Sequence, residues 1–413
     1  MRQFIISLLF VLSGLMIVTA CSDAQNNGTS PKVVKIGAER LLDNYMGELL
    51  DKRIGLVMNP TARIGDTHML DTLLAIEANV TALFAPEHGF RGEAGAGDRI
   101  EDGIDQASGL PVFSLYGTNR KPTPEMLNHV DMLIFDMQDV GARFYTYIAT
   151  LGLVMEAASE SGIPIWILDR PNPLGGNYVS GWMLDEQFQS FVGPYPIPIA
   201  HGLTMGEIAG MIAGEHWMDF EQEPELKIIK MEGWRRAMKW PETGLNWVPP
   251  SPNLPTFDHA YIYTGTVYFE GTNLSEGRGT DDPFLTLGEP STRLSEHDLT
   301  ALSNLEGISI TPANFTPRSI PGVAPNPKHL DTESRGIKIE IKSYDFDPVR
   351  TGLEIFRILV NATPEAETNT FLYRLAGSEQ IDMVLSNEID PLTLDFNLDH
   401  FLKQRKPYLL YNE

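Results

Sequence analysis

The stretch MLIFDMQDVGARFYTYIATLGLVMEAASESGIPIWILDRPNPLGG, residues 132–176, contains the pattern that decides the fold. A short apolar run, Met132–Phe135, precedes a long amphipathic segment, Thr146–Ser161, which ends at Gly162. A second apolar run, Ile165–Leu168, follows. Short apolar runs that alternate with helical segments are typical of βα units in a parallel sheet. The stretch therefore predicts two parallel strands joined by a crossover helix.

The same alternation continues on both sides of this stretch. Thr204–His216 is predicted to be a helix, since Thr204 and Glu207 have the spacing of a capping box. Four further strands are predicted, at Arg53–Met58, Val80–Phe84, Val112–Leu115 and Leu226–Met231. The prediction is an α/β protein whose N-terminal domain is built on a parallel sheet.

Four prolines between residues 249 and 255 interrupt this pattern and predict a domain boundary. Beyond them, Gly336–Ser343 alternates as a half-exposed strand, and Val349–Val360 and Asn369–Leu375 have helical periodicity. The predicted organisation is a parallel-sheet domain, residues 34–250, followed by a smaller α+β domain, residues 251–413.

The N-terminus has the features of a bacterial lipoprotein signal. An apolar run, residues 4–20, follows Arg2 and ends in small residues before Cys21. The run is shorter than the ~20 residues that span a bilayer, which disfavours the alternative of an uncleaved anchor. We predict a signal peptide (residues 1–20), a polar tether (21–33) and a lipid anchor on Cys21 in the cell envelope. A serine follows the cysteine, which favours the outer membrane.

Composition and motifs exclude several classes of function. The chain has 31 Lys and Arg residues against 55 Asp and Glu residues, a net charge of −24. It therefore lacks the cationic surplus with which nucleic-acid-binding proteins neutralise phosphates. Cys21 is the only cysteine, so disulfides, thiolate metal sites and a cysteine nucleophile are excluded from the rest of the chain. The sequence has no Walker-type loop, nucleophile elbow or His-Glu-x-x-His motif. We expect no cofactor, no metal and no nucleic-acid partner.

Carboxylates follow three of the predicted strands. Glu87 lies just after one strand, Asp136 and Asp139 follow a second, and Asp169 follows a third. Because the carboxyl ends of parallel strands face a shared crevice, we expect these side chains to form one ligand site. The alternative is that the aspartates only cap the following helices. Glu87, between a proline and a histidine, is the candidate general acid if partial burial raises its pKa; a solvated loop residue is the alternative.

Basic and aromatic residues near the same strand ends indicate an anionic ligand with a sugar-like surface. Five arginines are candidates to bind a carboxylate or phosphate, and structural ion pairs are the alternative. They are Arg91, Arg99, Arg143, Arg170 and Arg278. Tyr145 and Tyr147 are candidates for packing on a sugar or in the core. The glycine-rich polar segment Glu270–Thr280 is predicted to reach the cleft from the second domain.

Six sequence blocks resemble the signature of one bacterial family. They are Ala85–Phe90, Phe135–Tyr147, Leu168–Gly176, His201–Glu207, Pro250–Asn253 and Glu270–Thr280. The chain resembles the exo-acting β-N-acetylmuramidases of glycoside hydrolase family 171, formerly a domain of unknown function, across residues 34–413. The resemblance implies a Rossmann-like N-terminal domain, a smaller C-terminal domain and a site between them. It also implies release of N-acetylmuramic acid from the non-reducing end of peptidoglycan fragments.

The resemblance gives the candidate residues expected roles. Glycosidases use one carboxyl group to protonate the leaving oxygen and a second to attack or to activate water. Glu87 is expected to be the general acid and Asp139 the second carboxylate, with Asp136 and Glu276 in reserve; participation of the substrate's N-acetyl group is the alternative. The residues expected to bind the muramyl sugar, whose lactyl carboxylate suits arginine, are His88, Arg91, Asp136, Arg143, Tyr145, Asp169, Asn172, His201, Glu270, Asn273, Glu276 and Arg278.

Two other functions fit the same residues. A lipoprotein with this cleft could bind muropeptides without cleaving them, and a hydrolase or transferase could act on another glycan or on an acylated amine. A nucleotide-dependent enzyme is disfavoured, because no phosphate-binding loop is present.

Overall fold

A computed structural model describes residues 33–92, 101–218, 220 and 222–413. The expected lipid anchor on Cys21, its signal peptide and Arg99 lie outside these residues. Within the part of the chain that is described, no helix is both long enough and apolar enough to cross a bilayer.

The elements of the described residues alternate between strands and helices along the first half of the chain. The strands are Ile54–Met58 (β1), Arg63–Ile64 (β2), Thr67–His68 (β3), Val80–Ala85 (β4), Gly103–Ile104 (β5), Pro111–Ser114 (β6), Met132–Asp136 (β7), Ile165–Leu168 (β8), Ser180–Met183 (β9), Pro198–Ala200 (β10), Leu226–Ile229 (β11), Thr286–Glu289 (β12), Ile308–Phe315 (β13) and Ser334–Ile341 (β14). The α-helices are Gly37–Asn44 (α1), Met46–Leu49 (α2), Met69–Ala75 (α3), Pro124–Leu127 (α4), Tyr147–Ser161 (α5), Met205–Gly214 (α6), Phe257–Thr266 (α7), Glu296–Ser303 (α8), Pro348–Asn361 (α9), Phe371–Ala376 (α10), Gln380–Leu385 (α11) and Asp399–Gln404 (α12).

The large sheet has the strand order of the Rossmann fold. Its parallel strands lie in the spatial order β11-β8-β7-β1-β4-β6, and β5 adds an antiparallel edge beside β6. The chain runs outward from β1 to β6, returns to β7 on the other side of β1, and runs outward again to β11. This order confirms the predicted Rossmann-like sheet. The direction reverses between β1 and β7, where Met58 pairs with Asp136 at the carboxyl ends.

Helices cover both faces of the sheet. Every residue of β1, β7 and β8 is buried, which explains why these strands are continuously apolar instead of alternating. Leu133 and Phe135 join a cluster with α5 and α6, whereas Met132 and Ile134 join a second cluster with α1 and α3. Alternate side chains of one strand thus support two cores.

The two crossover helices predicted from the sequence are present. Helix α5 ends at Gly162, whose left-handed φ of 63° lets its amide cap the last turn. Helix α6 begins after Thr204, and the Thr204–Glu207 capping box is formed. The six predicted strands of the sheet are also present, each within two residues of its expected bounds.

The second half of the chain forms a smaller α+β unit. Strands β12, β14 and β13 make an antiparallel sheet in that order, and α7 packs on α9. These two helices approach so closely that a Cβ on Gly352 would lie 2.2 Å from the carbonyl carbon of Gly265. Only glycine at both positions allows this contact.

The two domains share one apolar core. The cluster that contains α5 and α6 continues without a break into α7 and α9. The end of the chain also returns to the first domain, where the Tyr411 hydroxyl donates a hydrogen bond to Asp169 at 2.5 Å. The cleft between the domains therefore has packed walls on both sides.

Candidate active site

A turn after β4 carries Glu87 away from the sheet. His88 and Gly89 have φ angles of 73° and 84°, so the chain reverses directly after Glu87; this left-handed region is unfavourable for a residue with a Cβ. The Thr146 hydroxyl donates a hydrogen bond to Glu87 Oε2 at 2.8 Å. Glu87 is half-buried and His88 is buried. The carboxyl group is thereby fixed at the wall of a cavity.

This cavity lies between the two domains and has a volume of about 330 Å³, which is in the range of small-molecule sites. Loops that follow β4, β6 and β7 form one wall, and the C-terminal domain forms the other. Among the residues predicted for the site, those that line the cavity are Glu87, His88, Tyr145, Glu270, Glu276 and Arg278.

The C-terminal wall is a cluster of alternating charges. Arg278 forms an ion pair with Glu270, and its Nε atom lies 3.5 Å from Glu276 Oε1. Lys328 Nζ lies 2.8 Å from Glu276 Oε2. Gly277 lies between the acidic and the basic residue with a φ of 81°, and a Cβ there would lie 2.4 Å from a β12 carbonyl oxygen. The turn that presents Glu276 and Arg278 therefore requires glycine.

The two glutamates of this wall have pKa values displaced in opposite directions. Burial raises the pKa of Glu270, although the charge of Arg278 opposes this effect. Burial also acts to raise the pKa of Glu276, but the charges of Lys328 and Arg278 outweigh it and lower this pKa below the usual glutamate value. Carboxyl groups whose pKa values are separated in this way can take different roles in acid–base chemistry. Glu276 is a stable counter-ion, and Glu270 is better suited to proton transfer.

Aromatic rings line the cavity beside these charges. The Tyr263 ring makes an edge contact with Phe284, with centroids 4.7 Å apart, and another with Tyr145, with centroids 6.3 Å apart. Burial, together with the charge and a hydrogen bond of Glu87, raises the pKa of Tyr116. The Tyr116 hydroxyl is therefore neutral, and it lines the same cavity as the Glu87 carboxyl group.

Asp139, predicted as the second carboxylate, does not line the cavity. It is 5% exposed, and its Oδ2 atom accepts a hydrogen bond from the Gly141 amide at 2.6 Å. Burial raises the pKa of Asp139 to about 7. His201 Nε2 lies 4.0 Å from Asp139 Oδ2, and burial lowers the pKa of His201 to about 3. Both residues are buried side by side, and Asp139 Oδ1 and His201 Nε2 have no hydrogen-bond partner among the described residues. Their contacts with substrate remain predictions.

Asp136 and Asp169 are also fully buried. Asp136 accepts two hydrogen bonds from Arg170, at 2.5 and 2.9 Å. Asp169 accepts hydrogen bonds from the hydroxyls of Thr204 and Tyr411, at 2.7 and 2.5 Å. Their predicted ligand contacts are replaced by contacts within the protein, because the oxygen atoms of both carboxylates are already held by protein donors.

Arg143 has a structural position instead of the predicted ligand contact. It is fully buried, and its guanidinium donates hydrogen bonds of 2.8–3.1 Å to the carbonyl oxygens of Trp182, Ile197, Leu375 and Ala376. Burial lowers the pKa of Arg143 to about 10. The last two acceptors belong to α10 of the C-terminal domain, so Arg143 joins the two domains.

Three other predicted contacts also lie away from the cavity. Asn172 is buried and donates a hydrogen bond to a backbone carbonyl at 3.0 Å. Arg91 forms ion pairs with Asp71 and Asp105, at 3.0 and 2.6 Å. The side-chain amide of Asn273 donates a hydrogen bond to the carbonyl oxygen of residue 365 and accepts one from the backbone amide of residue 367. Each polar group is occupied by a partner from the protein itself.

The cavity also contains residues that the sequence reasoning missed, including Tyr116, Thr146, Tyr263 and Lys328. Tyr116 directly follows the predicted strand Val112–Leu115, so the strand-end rule could have identified it. The sequence predicts Thr146 only as the start of a helix. Tyr263 and Lys328 lie in segments without a distinguishing motif, and no sequence signal marks them.

The arrangement is suited to proton transfer by carboxyl groups. Among the described residues, no group of three His, Cys, Asp or Glu side chains is placed to hold a metal ion. The cavity combines three glutamates, two cations and aromatic rings, which suits a small polar ligand with apolar ring faces.

Comparisons with known proteins identify the family. The N-terminal domain of exo-β-N-acetylmuramidase NamZ matches residues 54–258, and the C-terminal domain of the same family matches residues 261–411. The chain belongs to this family. A peptidoglycan β-N-acetylmuramidase NamZ from Bacillus subtilis is 41% identical, over 97% of this chain and 98% of the relative. The NamZ family match confirms the resemblance predicted from the six sequence blocks.

Two crystal structures of DUF1343 family proteins from Bacteroides fragilis have the same fold. One has a TM-score of 0.81 and 30% identity, and the other has a TM-score of 0.76 and 35% identity. Each comparison covers 92% of this chain and 99% of the other chain. The predicted combination of a Rossmann-like domain with a smaller C-terminal domain is confirmed.

Proposed function

We infer that this protein is an exo-acting β-N-acetylmuramidase, a glycoside hydrolase that releases N-acetylmuramic acid from the non-reducing end of peptidoglycan fragments. The observation that carries this conclusion is the cavity between the two domains of a NamZ family chain, where Glu87 meets the charged wall of the C-terminal domain. A volume of about 330 Å³ suits one terminal sugar.

We propose that Glu87 protonates the glycosidic oxygen as the bond breaks. Its carboxyl group lines the cavity and is held by the hydroxyl of Thr146 at 2.8 Å. A general acid must lie within hydrogen-bond reach of the leaving oxygen, and a fixed carboxyl group at the cavity wall meets this requirement for a sugar bound in the cavity.

We propose Glu270 as the second carboxyl group, in place of Asp139. Glu270 lines the cavity from the other domain, whereas Asp139 is enclosed by the protein. Burial raises the pKa of Glu270, and a raised pKa makes a glutamate a stronger general base. In this role Glu270 activates water, or it orients the N-acetyl group of the substrate if that group is the nucleophile.

Among the predicted arginines that the structure describes, Arg278 reaches the cavity, and Lys328 lies beside it. We propose that these two cations offset the lactyl carboxylate of the muramyl sugar, whose charge would otherwise meet three glutamates. A carboxylate near a guanidinium gains charge-assisted hydrogen bonds.

The function is tested by incubating the purified protein with the disaccharide N-acetylmuramyl-β-1,4-N-acetylglucosamine and identifying the products by mass spectrometry. We expect free N-acetylmuramic acid and N-acetylglucosamine in equal amounts. A disaccharide that binds but remains intact would support the alternative of a glycan-binding lipoprotein instead.

The attachment to the envelope is a separate proposal, which rests on the sequence around Cys21. A lipid anchor would place the enzyme next to the peptidoglycan layer. Fractionation of cells that express the full chain or its Cys21→Ser variant tests it: we expect the variant to lose membrane association, and equal distribution of both proteins would contradict the anchor.

A further inference from the structure

A second concave surface lies beside the active-site cavity. It is a groove of about 650 Å³ whose lining includes Arg120, Phe191, Tyr195 and Trp217. None of these residues has a part in the chemistry described above. The groove is more apolar than the cavity, and aromatic rings contribute much of its surface.

The groove and the cavity share one rim. Val192 lines the cavity, whereas its neighbours Ser190 and Phe191 line the groove. Tyr116 lines the cavity as well, and its ring lies 6.2 Å from that of Phe191. A ligand that extends beyond the cavity at this rim therefore enters the groove.

Helix α5 gives the groove a direction and a length. Thr146, which precedes the helix, lies in the cavity wall, and Ala149, Leu153 and Glu156 line the groove. The last three lie on one helical face because of their spacing. The path from Thr146 to Glu156 is about 15 Å at 1.5 Å per residue, enough for more than one sugar of a chain.

The chemistry of the groove suits an anionic glycan. The half-buried Trp217 stacks on Tyr195 with ring centroids 5.4 Å apart, and flat aromatic surfaces pack well against the apolar faces of sugars. The exposed Arg120 lies 4.4 Å from the centre of the Phe191 ring. No carboxylate of the described residues lies within ion-pair distance of Arg120, whereas Lys121 is paired with Glu156 and Glu160.

We propose that this groove binds the part of the glycan that lies beyond the N-acetylglucosamine next to the cleaved bond, beginning with the second muramyl residue. Trp217 packs against a pyranose ring, and Arg120 pairs with the lactyl carboxylate of that second muramyl residue. This proposal rests on the proposed function, because it assigns the part of the same substrate that lies outside the cavity.

The test compares two substrates that present the same bond to the cavity. One is the disaccharide, and the other is the tetrasaccharide made of two such disaccharides, both with a muramyl group at the non-reducing end. We expect the wild-type enzyme to have a higher kcat/KM for the tetrasaccharide. Arg120→Ala and Trp217→Ala should each lower kcat/KM for the tetrasaccharide about tenfold and change the value for the disaccharide less than about twofold.

Arg335→Ala, at an exposed arginine of β14, is the matched control and should affect neither substrate. Equal losses on both substrates, or no loss on either, would overturn the proposal.

A loss that appears only when stem peptides are attached would assign the groove to the peptide and overturn the glycan assignment. Arg120 is exposed, so Arg120→Ala is expected to fold. It therefore tests the groove even if Trp217→Ala does not fold. If the proposed function itself is wrong, the wild-type enzyme will cleave neither substrate. This result differs from every outcome that tests the groove.

Discussion

Acidic side chains follow the central strands of the Rossmann-like sheet and also line the cavity between the domains, but their surroundings differ. Asp136 and Asp169, after β7 and β8, are fully buried and bound by protein donors. Glu87, after β4, is half-buried beside a cavity. On the opposite wall, Glu270 retains 18% exposure of its side chain. A carboxylate after a strand is thus bound within the protein in one region and lines a cavity in the other.

The difference comes from what covers each strand end. The end of the chain covers the carboxyl end of β8 through Tyr411, and Arg170 occupies the space beside Asp136. The turn after β4 instead points Glu87 toward the C-terminal domain, which approaches without filling the space between. A catalytic carboxyl group therefore has to be recognised by its access to solvent and not by its position after a strand.

Replacement of Glu87, which lines the cavity, is expected to cause the largest loss of activity. We expect Glu87→Gln to lower kcat/KM for the disaccharide about 10³-fold, since a glutamine cannot supply the proton for the leaving oxygen. The loss should be much smaller for 2,4-dinitrophenyl muramide, whose leaving group needs no proton. Steady-state kinetics on both substrates measure the effect, with Glu296→Gln on the exposed surface of α8 as control. A disaccharide kcat/KM within tenfold of wild type would remove Glu87 from the mechanism.

Glu270→Gln sharpens the comparison on the opposite wall. We expect kcat/KM to fall about 10²-fold for both kinds of leaving group, because a general base acts in both cases. Since a base works only when ionised, wild-type activity should fall as the pH drops through the raised pKa of Glu270. The pH profile of the variant should lack this acidic limb. If the limb persists in the variant, another group is the base.

Arg143→Met examines the buried region. We expect a loss of about 3 kcal/mol in the free energy of unfolding, since four carbonyl oxygens lose their donor in the interior. Urea unfolding followed by circular dichroism measures this loss, and Arg143→Lys should recover part of it. Unchanged stability together with a raised KM would show instead that Arg143 contacts the substrate.

Asp139→Asn should have the smallest effect on activity, less than about threefold in kcat/KM, because Asp139 does not line the cavity. Loss of activity comparable to that of Glu87→Gln would restore Asp139 as the second catalytic group.

The same variant should also change how stability depends on pH. The pKa of Asp139 is about 7 in the folded protein, against 3.8 for the free group. The folded state therefore holds the extra proton between these values, and wild-type stability decreases as the pH rises through this window. Asn cannot ionise, so the variant should gain in Tm relative to wild type at about pH 8 compared with about pH 5.

Local patterns were sufficient for much of the fold. The strands and helices of residues 132–214 were predictable because apolar runs, the Thr204 capping box and Gly162 act within a few residues of the chain. The cavity was predictable only in part: Glu87 and the segment Glu270–Thr280 are marked by their sequence, but Lys328 and Tyr263 are not. Those two come from segments whose only relation to Glu87 is their position in the folded chain.

The sequence by itself determined that the chain is an α/β protein with a Rossmann-like sheet, which strands end in acidic residues, and which family it belongs to, because these properties depend on local periodicity and on short motifs. Only the tertiary structure decided which of those acids line the cavity. Burial and hydrogen bonding depend on residues far away in the chain, such as Tyr411 on Asp169 and Lys328 on Glu276. The Tyr411 contact forms only when the C-terminal part of the chain packs against the sheet, and the Lys328 contact forms only when the C-terminal domain folds.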